Sequence, residues 1–228
     1  MSKAIKTFEE AEMSRQKLYI ANDVEAAGHR LGIHSTLSIG ACVVMDEPIT
    51  FDEANARGLV FYAELQPLSL DYVIGNMKIG CLHLKCLDDI RKTDPRYDPL
   101  HPKFAPMLVL ELMEAVCESP KAAVKRFYEW VEQVRGSREV EAVTDTVFFD
   151  SGHFNLNFGL HHEVRSPYKW HGLDLSSMYR GHTGDPDARL NGLGVPDDRA
   201  KPHRADHDAY HLAKVARKLL VEELHWRI

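Results

Sequence analysis

The chain has 228 residues, of which 44% are hydrophobic and 27% are charged, and its formal net charge is −6. This length and composition are typical of one globular domain with a substantial core, and the acidic balance argues against a nucleic-acid binder that works through a broad basic surface. No apolar run approaches the roughly 18 residues of a membrane span, and the N-terminal residues lack the apolar segment of a signal peptide. The four cysteines are few for this length, which favours reduced thiols and a cytoplasmic location.

The first part of the chain predicts a short helix followed by three strands. Thr7 and Glu10 have the spacing of a capping box, which predicts a helix over 8–16. β-Branched and apolar residues then predict strands, and short connections between them favour an antiparallel meander. The predicted strand ranges are 19–28, 36–45 and 58–66.

The second part of the chain predicts mainly helices. Prolines interrupt residues 68–104, which predicts a loop-rich insertion. Apolar residues at spacings of three and four predict two amphipathic helices between 107 and 134, which are also a candidate homodimer surface. The remaining predictions are a strand over 140–149, a helix over 151–160, a short strand over 172–175, a loop over 181–201 and a last helix over 205–224.

Two carboxylates lie two residues apart on the first strand. Successive strand residues alternate between faces, so Asp23 and Glu25 project from the same face. The opposite face carries Leu18, Ile20 and Val24 and is the expected buried side. Adjacent carboxylates repel one another unless a cation lies between them, and Mg²⁺ or Mn²⁺ suits oxygen ligands. Two solvated acids at the end of a strand are the alternative, because a short D-x-E motif is weak.

Two more acids align with apolar helix faces. Asp208 lies one helical turn before Leu212, on the core-facing stripe of the last helix, whereas Asp206 lies on another stripe. Asp150 aligns in the same way with Phe154. Taken singly, each could be a helix N-terminal acid that the helix dipole stabilises. Taken together with the acids of the first strand, they predict a metal cage, because an acid on an apolar face needs a cation.

Two other groups of possible metal ligands do not form a convincing metal site. Cys81, His83 and Cys86 fit no standard zinc spacing, so partly buried thiols are expected there. His161, His162 and Glu163 are consecutive residues at a helix end, where neighbours diverge by about 100 degrees. A solvated helix end is the favoured interpretation of this second group.

The acidic motifs are similar to those of a known enzyme family. They are Asp23-x-Glu25, Phe149-Asp150 and His203-x4-Asp208. Because these motifs occur in the same order as in that family, the chain resembles the DnaQ-like 3′–5′ exonucleases of the DEDDh group. The sequences of residues 38–41 and 61–65 are also similar to those of the family. Within this group, the chain most resembles the bacterial and phage exoribonuclease-like branch. Thr146 stands where many relatives have asparagine, a departure that concerns substrate fit.

The resemblance implies a fold and an activity. The expected fold is an α/β ribonuclease H-like mixed sheet, with the first three strands antiparallel and helices on both faces. Residues 1–228 would form a single exonuclease domain. The expected activity is the release of nucleoside 5′-monophosphates from the 3′ ends of single-stranded nucleic acid, without a membrane partner.

The resemblance also implies roles for five residues. Two divalent ions, Mg²⁺ or Mn²⁺, would bind close together. Asp23 would bridge them, Glu25 and Asp208 would complete the site that activates water, and Asp150 would hold the second ion. His203 would act as the general base, because histidine titrates near neutral pH. A loop histidine that caps the last helix is the alternative for His203.

Small and aromatic residues are candidates for substrate contact. The backbone around Ala26 and Ala27 is expected to lie against the terminal nucleotide, and loops 26–36 and 181–202 would enclose it. Trp170, together with Tyr168, is a candidate to stack on a base, although aromatic core filling accounts for both equally well.

Two alternative functions stay open. RNA is slightly favoured as the substrate, and the same chemistry on DNA is the first alternative, because metals and a phosphate do not read the 2′-hydroxyl. A non-catalytic interaction module is the second alternative, although such a module has no need of the five candidate site residues.

Overall fold

The computed structural model describes residues 17–161, 163–169 and 171–228, so the predicted helix over 8–16 lies outside the described residues. The strands are β1 (Lys17–Ala26), β2 (Thr36–Val43), β3 (Val60–Glu64), β4 (Glu139–Thr144) and β5 (Gly172–Asp174). They form one mixed sheet in the order β3-β2-β1-β4-β5. β1 pairs antiparallel with β2, as does β2 with β3, whereas β4 is parallel to both β1 and β5. The expected antiparallel meander of the first three strands is therefore present.

Helices cover both faces of the sheet. The α-helices are α1 (Phe51–Ala56), α2 (Ile74–Gly80), α3 (Pro106–Val116), α4 (Pro120–Arg135), α5 (Gly152–Leu160), α6 (Leu175–Thr183) and α7 (Ala205–Arg217). Short 3₁₀ helices span Lys85–Leu87, Ile90–Lys92, Pro95–Tyr97 and Leu190–Leu193. π-Helical turns span Val147–Ser151 and Lys218–Glu223. None of the helices in the described ranges is long and apolar enough to cross a membrane.

The central strand β1 is buried on both faces. Ile20 packs with Phe127 of α4 and Phe154 of α5. Tyr19 and Ala21, on the other face, pack with residues of α7. The sequence predicts only one buried face, and the second is buried because α7 returns from the far end of the chain to cover it.

Several boundaries differ from the sequence predictions. β4 ends at Thr144 instead of continuing to 149, because the Thr146 carbonyl accepts hydrogen bonds from the N–H groups of Phe149 and Asp150 and turns the chain. Asp150 thus lies in a π-helical turn and not at a strand end. Two helices also go beyond the predictions. Helix α1 has a complete capping box at Thr50, and α6 extends to Thr183, into the predicted loop over 181–201.

The 68–104 insertion shares a small core with α3. Met77 and Leu84 are fully buried in a cluster with Leu110 and Met113 of α3. The prolines limit regular structure to α2 and short 3₁₀ turns, one of which begins at Pro95. The insertion packs against the end of the sheet where β1 carries its two acids.

Candidate active site

Three separate elements bring four carboxylates to one edge of the sheet. Asp23 and Glu25 lie near the carboxyl end of β1. Asp150 follows β4, and the carboxyl ends of the parallel strands β1 and β4 meet at the same edge. Asp208 lies in the first turn of α7, which packs on β1 and β2. The four acids that the sequence predicts as a metal cage are thus brought together.

Gly40 allows α7 to approach the sheet closely. It pairs with Asp23 in the β1–β2 ladder. A Cβ atom on Gly40 would lie 2.0 Å from the carbonyl carbon and oxygen of Ala205 and 2.4 Å from the backbone nitrogen of Asp206. Only glycine fits against the start of α7 here, and this contact sets how near Asp208 comes to β1.

Burial disfavours the ionised form of every acid in the cluster, and repulsion by the neighbouring acids adds to this effect at Asp23 and Glu25. Burial, followed by the charge of Asp150, raises the pKa of Asp23 well above its usual value. Burial and the charge of Asp208 raise the pKa of Glu25 to about 8. Burial also raises the pKa of Asp150 to about 7 and increases the pKa of Asp208. Four buried acids this close together can all be ionised only if a positive charge lies among them.

The donor set fits a hard divalent cation. Oδ2 of Asp23 is buried and has no hydrogen-bond partner among the described residues. Glu25, His203 and Asp208 each offer a ligand atom, and these atoms lie within 4.8 Å of one another. Carboxylate oxygens are the ligands that Mg²⁺ and Mn²⁺ prefer. An unpaired buried carboxylate oxygen beside two further acids therefore suits such an ion.

Arg199 supplies a positive charge that no pattern in the sequence predicts. Its Nη1 atom lies 3.0 Å from Oδ1 of Asp208. Its Nε and Nη2 atoms donate to Asp197 at 2.7 and 2.6 Å. The short Asp197-x-Arg199 spacing gives no sign that this loop residue reaches α7, so only the tertiary fold reveals the contact.

His203 lies beside the acids with its ring open to solvent. Its Nδ1 atom is 3.9 Å from Oε1 of Glu25, and 48% of its side chain is exposed. Its backbone N–H donates to both carboxylate oxygens of Asp208, at 3.2 and 3.1 Å. The residue has φ of 63°, a conformation that is strained outside glycine. The N-cap of α7 is Arg204, without a side-chain capping bond, so His203 does not cap this helix.

The chain is similar to a known exonuclease in sequence and to solved nucleases in structure. No family model matches the chain. The 3′-5′ DNA exonuclease Cap18 of Escherichia coli is 27% identical over 215 residues, which are 92% of this chain and 94% of that protein. The nuclease domain of 3′hExo, a DEDDh family member bound to rAMP, superposes with a TM-score of 0.60 at 11% identity, over 93% of this chain and 94% of that one.

Two further solved structures are similar. Cell-death related nuclease 4 (CRN-4) has a TM-score of 0.61 at 9% identity, over 90% of this chain and 64% of that one. The complex of E. coli exonuclease I with single-stranded DNA has a TM-score of 0.58 at 15% identity, over 92% of this chain and 42% of that one. The chain has the fold of the DEDDh exonucleases. The predicted resemblance and fold class are confirmed, and the relative and these neighbours are nucleases, as predicted for this chain.

Within this DEDDh fold, Asp206 has a partner of its own. Nε and Nη2 of Arg204 donate to its two carboxylate oxygens at 2.6 and 2.5 Å. The side chains of Arg204 and Asp206 are only 9% and 4% exposed. Asp206 thus forms a buried ion pair, whereas Asp208 contacts Arg199 and the backbone of His203.

The two alanines after the acids are buried, and the backbone of one is already hydrogen-bonded. Ala26 and Ala27 are almost completely inaccessible. The Ala27 N–H donates to the Ser35 carbonyl at 2.8 Å, and its carbonyl accepts from the Val73 N–H at 2.7 Å. These bonds fix the loop, and because Ala27 is also buried, the structure leaves it neither an exposed surface nor an unbonded N–H for the predicted substrate contact.

The two aromatic candidates have different outcomes. Tyr168 packs against Phe127 and Phe154, and its hydroxyl donates to Oδ1 of Asn22 at 2.8 Å. These contacts favour core filling for Tyr168. Trp170 lies outside the described residues, so its predicted stacking role stays a prediction.

Proposed function

We propose that this chain is a metal-dependent 3′–5′ exonuclease that releases nucleoside 5′-monophosphates from single-stranded nucleic acid. The observation that carries the proposal is the convergence of four acids from β1, the turn after β4, and α7, with an exposed histidine beside them. A non-catalytic interaction module has no use for buried acids that repel one another. The DEDDh fold and the similarity to an exonuclease over 92% of the chain support the same conclusion.

Each residue of the cluster has a proposed role. Asp23, Glu25 and Asp208 would hold one Mg²⁺ or Mn²⁺ ion, and Asp150 would hold a second together with Asp23. When bound, such ions polarise a phosphate and lower the pKa of a water molecule. His203 would accept the proton of the attacking water, because its ring is solvent-exposed at the edge of the cluster.

The charge of the protein supports a single-stranded end as the substrate. The net charge of −6 gives little counterion release along a duplex, so bound ions would supply most of the attraction for phosphate. The exonuclease I neighbour binds single-stranded DNA in its solved complex. A compact acidic cluster at one edge of the sheet suits a terminal nucleotide better than an internal phosphodiester.

DNA is our first candidate for the type of nucleic acid. The E. coli relative, which aligns over nearly all of both chains, is a DNA exonuclease by name. RNA, which the sequence slightly favours, is the second candidate, because the 3′hExo neighbour is bound to rAMP. Digestion of matched DNA and RNA oligonucleotides under one set of conditions compares the two directly.

End-labelled oligonucleotides test the polarity of the reaction. With Mg²⁺ or Mn²⁺, a 5′-label on single-stranded DNA should give a descending ladder, and a 3′-phosphate should block it. Chromatography of the products should show nucleoside 5′-monophosphates. Cleavage of a circular single strand, or full activity in excess chelator, would contradict the proposal. Asp23→Asn is the matched inactive control, because it keeps the shape of the side chain and removes its charge.

Three further properties are proposals at the level of the whole chain. We propose that residues 1–228 act as one exonuclease domain and that the protein is cytoplasmic, since all four cysteines are free thiols. We also propose a homodimer through α3 and α4, because Met107 and Val116 of α3 are exposed. Light scattering across a range of protein concentrations measures the oligomeric state.

A further inference from the structure

A second group of metal-ligand side chains lies outside the carboxylate cluster. Glu64 ends β3, Cys86 lies in the 3₁₀ helix of the insertion, and Cys117 follows α3. One ligand atom from each lies within 4.8 Å of the other two, and all three residues are partly buried. Three chain segments far apart in sequence thus converge on one point with two thiols and a carboxylate.

The Glu64 carboxylate is held in a fixed orientation. Its Oε1 atom accepts from the Tyr62 hydroxyl at 2.6 Å and from the Lys85 N–H at 2.5 Å. Its Oε2 atom accepts from the Cys86 N–H at 3.0 Å, which leaves a lone pair of this oxygen available. Metal-binding carboxylates are typically oriented by such outer hydrogen bonds.

The two thiols are held next to each other. The Sγ atoms of Cys86 and Cys117 lie within 4.8 Å of each other. The backbone fixes the second thiol, because the Glu118 N–H donates to the Glu64 carbonyl at 3.1 Å and the Gln66 N–H donates to the Glu118 carbonyl at 2.8 Å. Both cysteines are free thiols. A bound cation favours the thiolate form of cysteine ligands.

We propose that Glu64, Cys86 and Cys117 bind one Zn²⁺ ion, with water as a fourth ligand. Two thiolates and a carboxylate form a donor set that suits tetrahedral zinc better than Mg²⁺ or Mn²⁺. Binding converts two thiols to thiolates and releases their two protons to solvent, with no change of oxidation state. The ion would tie the insertion to β3 and to the end of α3.

The location gives the site a structural consequence. The helix α2 of the insertion ends at Gly80, where an added Cβ would lie 3.2 Å from Oε2 of Glu25. The insertion therefore packs against one acid of the carboxylate cluster. Zinc bound at the thiol site would fix the segment that makes this contact, without entering the carboxylate cluster itself.

Metal titration of the reduced, chelator-stripped protein tests the proposal. With Zn²⁺ alone, calorimetry against a competing chelator should show one tight site that excess Mg²⁺ does not displace. Co²⁺ in place of Zn²⁺ should give the thiolate-to-cobalt absorption band. Cys86→Ser and Cys117→Ser should each weaken Zn²⁺ binding by more than the roughly 10- to 100-fold that loss of an outer hydrogen bond costs. Glu64→Gln tests the carboxylate ligand in a variant that keeps both thiols.

Two matched control variants locate the bound Zn²⁺ at these three side chains. Cys81→Ser removes a buried thiol of the same insertion and should leave tight Zn²⁺ binding intact. Asp23→Asn damages the carboxylate cluster and should also leave it intact. Zinc binding that survives both thiol substitutions, or that is lost in Asp23→Asn alone, would overturn the proposal. These measurements require no nuclease activity, so their outcome is independent of whether the proposed function is correct.

Discussion

Asp206 and Asp208 lie in the first turn of α7, and exchanging each for asparagine is expected to have opposite effects. Asp206→Asn breaks a buried ion pair that lies outside the proposed metal site. Asp208→Asn removes one of four clustered acids and a proposed metal ligand. The first variant should lose stability and keep activity, and the second should keep stability and lose activity.

The structure gives the size of the first effect. Asp206→Asn leaves the Arg204 guanidinium, whose side chain is 9% exposed, without an anionic partner. Breaking a buried pair costs roughly 3–5 kcal/mol, and the lower end applies because the asparagine oxygen still accepts one hydrogen bond. At about 2–4 °C per kcal/mol for a chain of this size, the melting temperature should fall by roughly 6–12 °C. Because Arg199 keeps Asp197 as a partner, Asp208→Asn should leave the metal-free melting temperature unchanged or higher.

Thermal melting with and without Mg²⁺, together with turnover at 25 °C, measures both effects. Asp206→Asn should keep the rise in melting temperature that Mg²⁺ causes and most of the turnover per folded molecule. Asp208→Asn should lose both. The reverse ranking, or an Mg²⁺-induced rise that persists in Asp208→Asn, would show that the assignment of Asp208 to the metal site is wrong.

Four other perturbations follow from the same geometry. His203→Ala should lower turnover about 10²- to 10⁴-fold and keep the Mg²⁺-induced rise in melting temperature, whereas loss of that rise would make His203 a metal ligand. Gly40→Ala should destabilise the protein by about 1–3 kcal/mol or more in denaturant unfolding, because its Cβ would overlap the α7 backbone. Gly75→Ala, with no atom within 4 Å of the added Cβ, is the control that should not be destabilised. Arg199→Gln should lower the melting temperature of the metal-free protein and tighten Mg²⁺ binding in calorimetry, because it removes the cation that competes for the α7 carboxylate; weaker binding would contradict this. In chelator, stability should fall as pH rises from 5 to 8, since the raised pKa of Glu25, about 8, makes the folded state bind a proton that the unfolded state has lost. Melting at several pH values checks this, and Glu25→Gln should flatten the profile.

Local patterns in the sequence predict much of the fold and the acids of the site. The meander of β1 to β3 follows from short connections, and the periodicity of apolar residues predicts α3, α4 and α7. Helix phase separates Asp208 from Asp206, a distinction that the structure shows as two different sets of contacts. These features are determined by residues that are close in sequence, so they can be predicted without a structure.

Features that depend on distant residues could not be predicted in this way. Phe148 and Phe149 favour a strand by residue type, yet the chain turns there because the Thr146 carbonyl accepts hydrogen bonds from Phe149 and Asp150. The contact of Arg199 with α7 arises from the path of a loop that has no periodic pattern. The pairing of Cys86 with Cys117 likewise depends on how the insertion packs on α3.

The close packing of α7 against Gly40 has a consequence for the order of events during folding. Asp208 reaches the other acids only after α7 docks on β1 and β2, a contact between segments that are far apart in sequence. Contacts of this kind form slowly relative to local helices and hairpins. A partly folded chain with the sheet formed and α7 undocked therefore lacks one proposed metal ligand and is no nuclease. In a refolding experiment, the return of exonuclease activity should lag behind the return of β-sheet signal and coincide with burial of the α7 face.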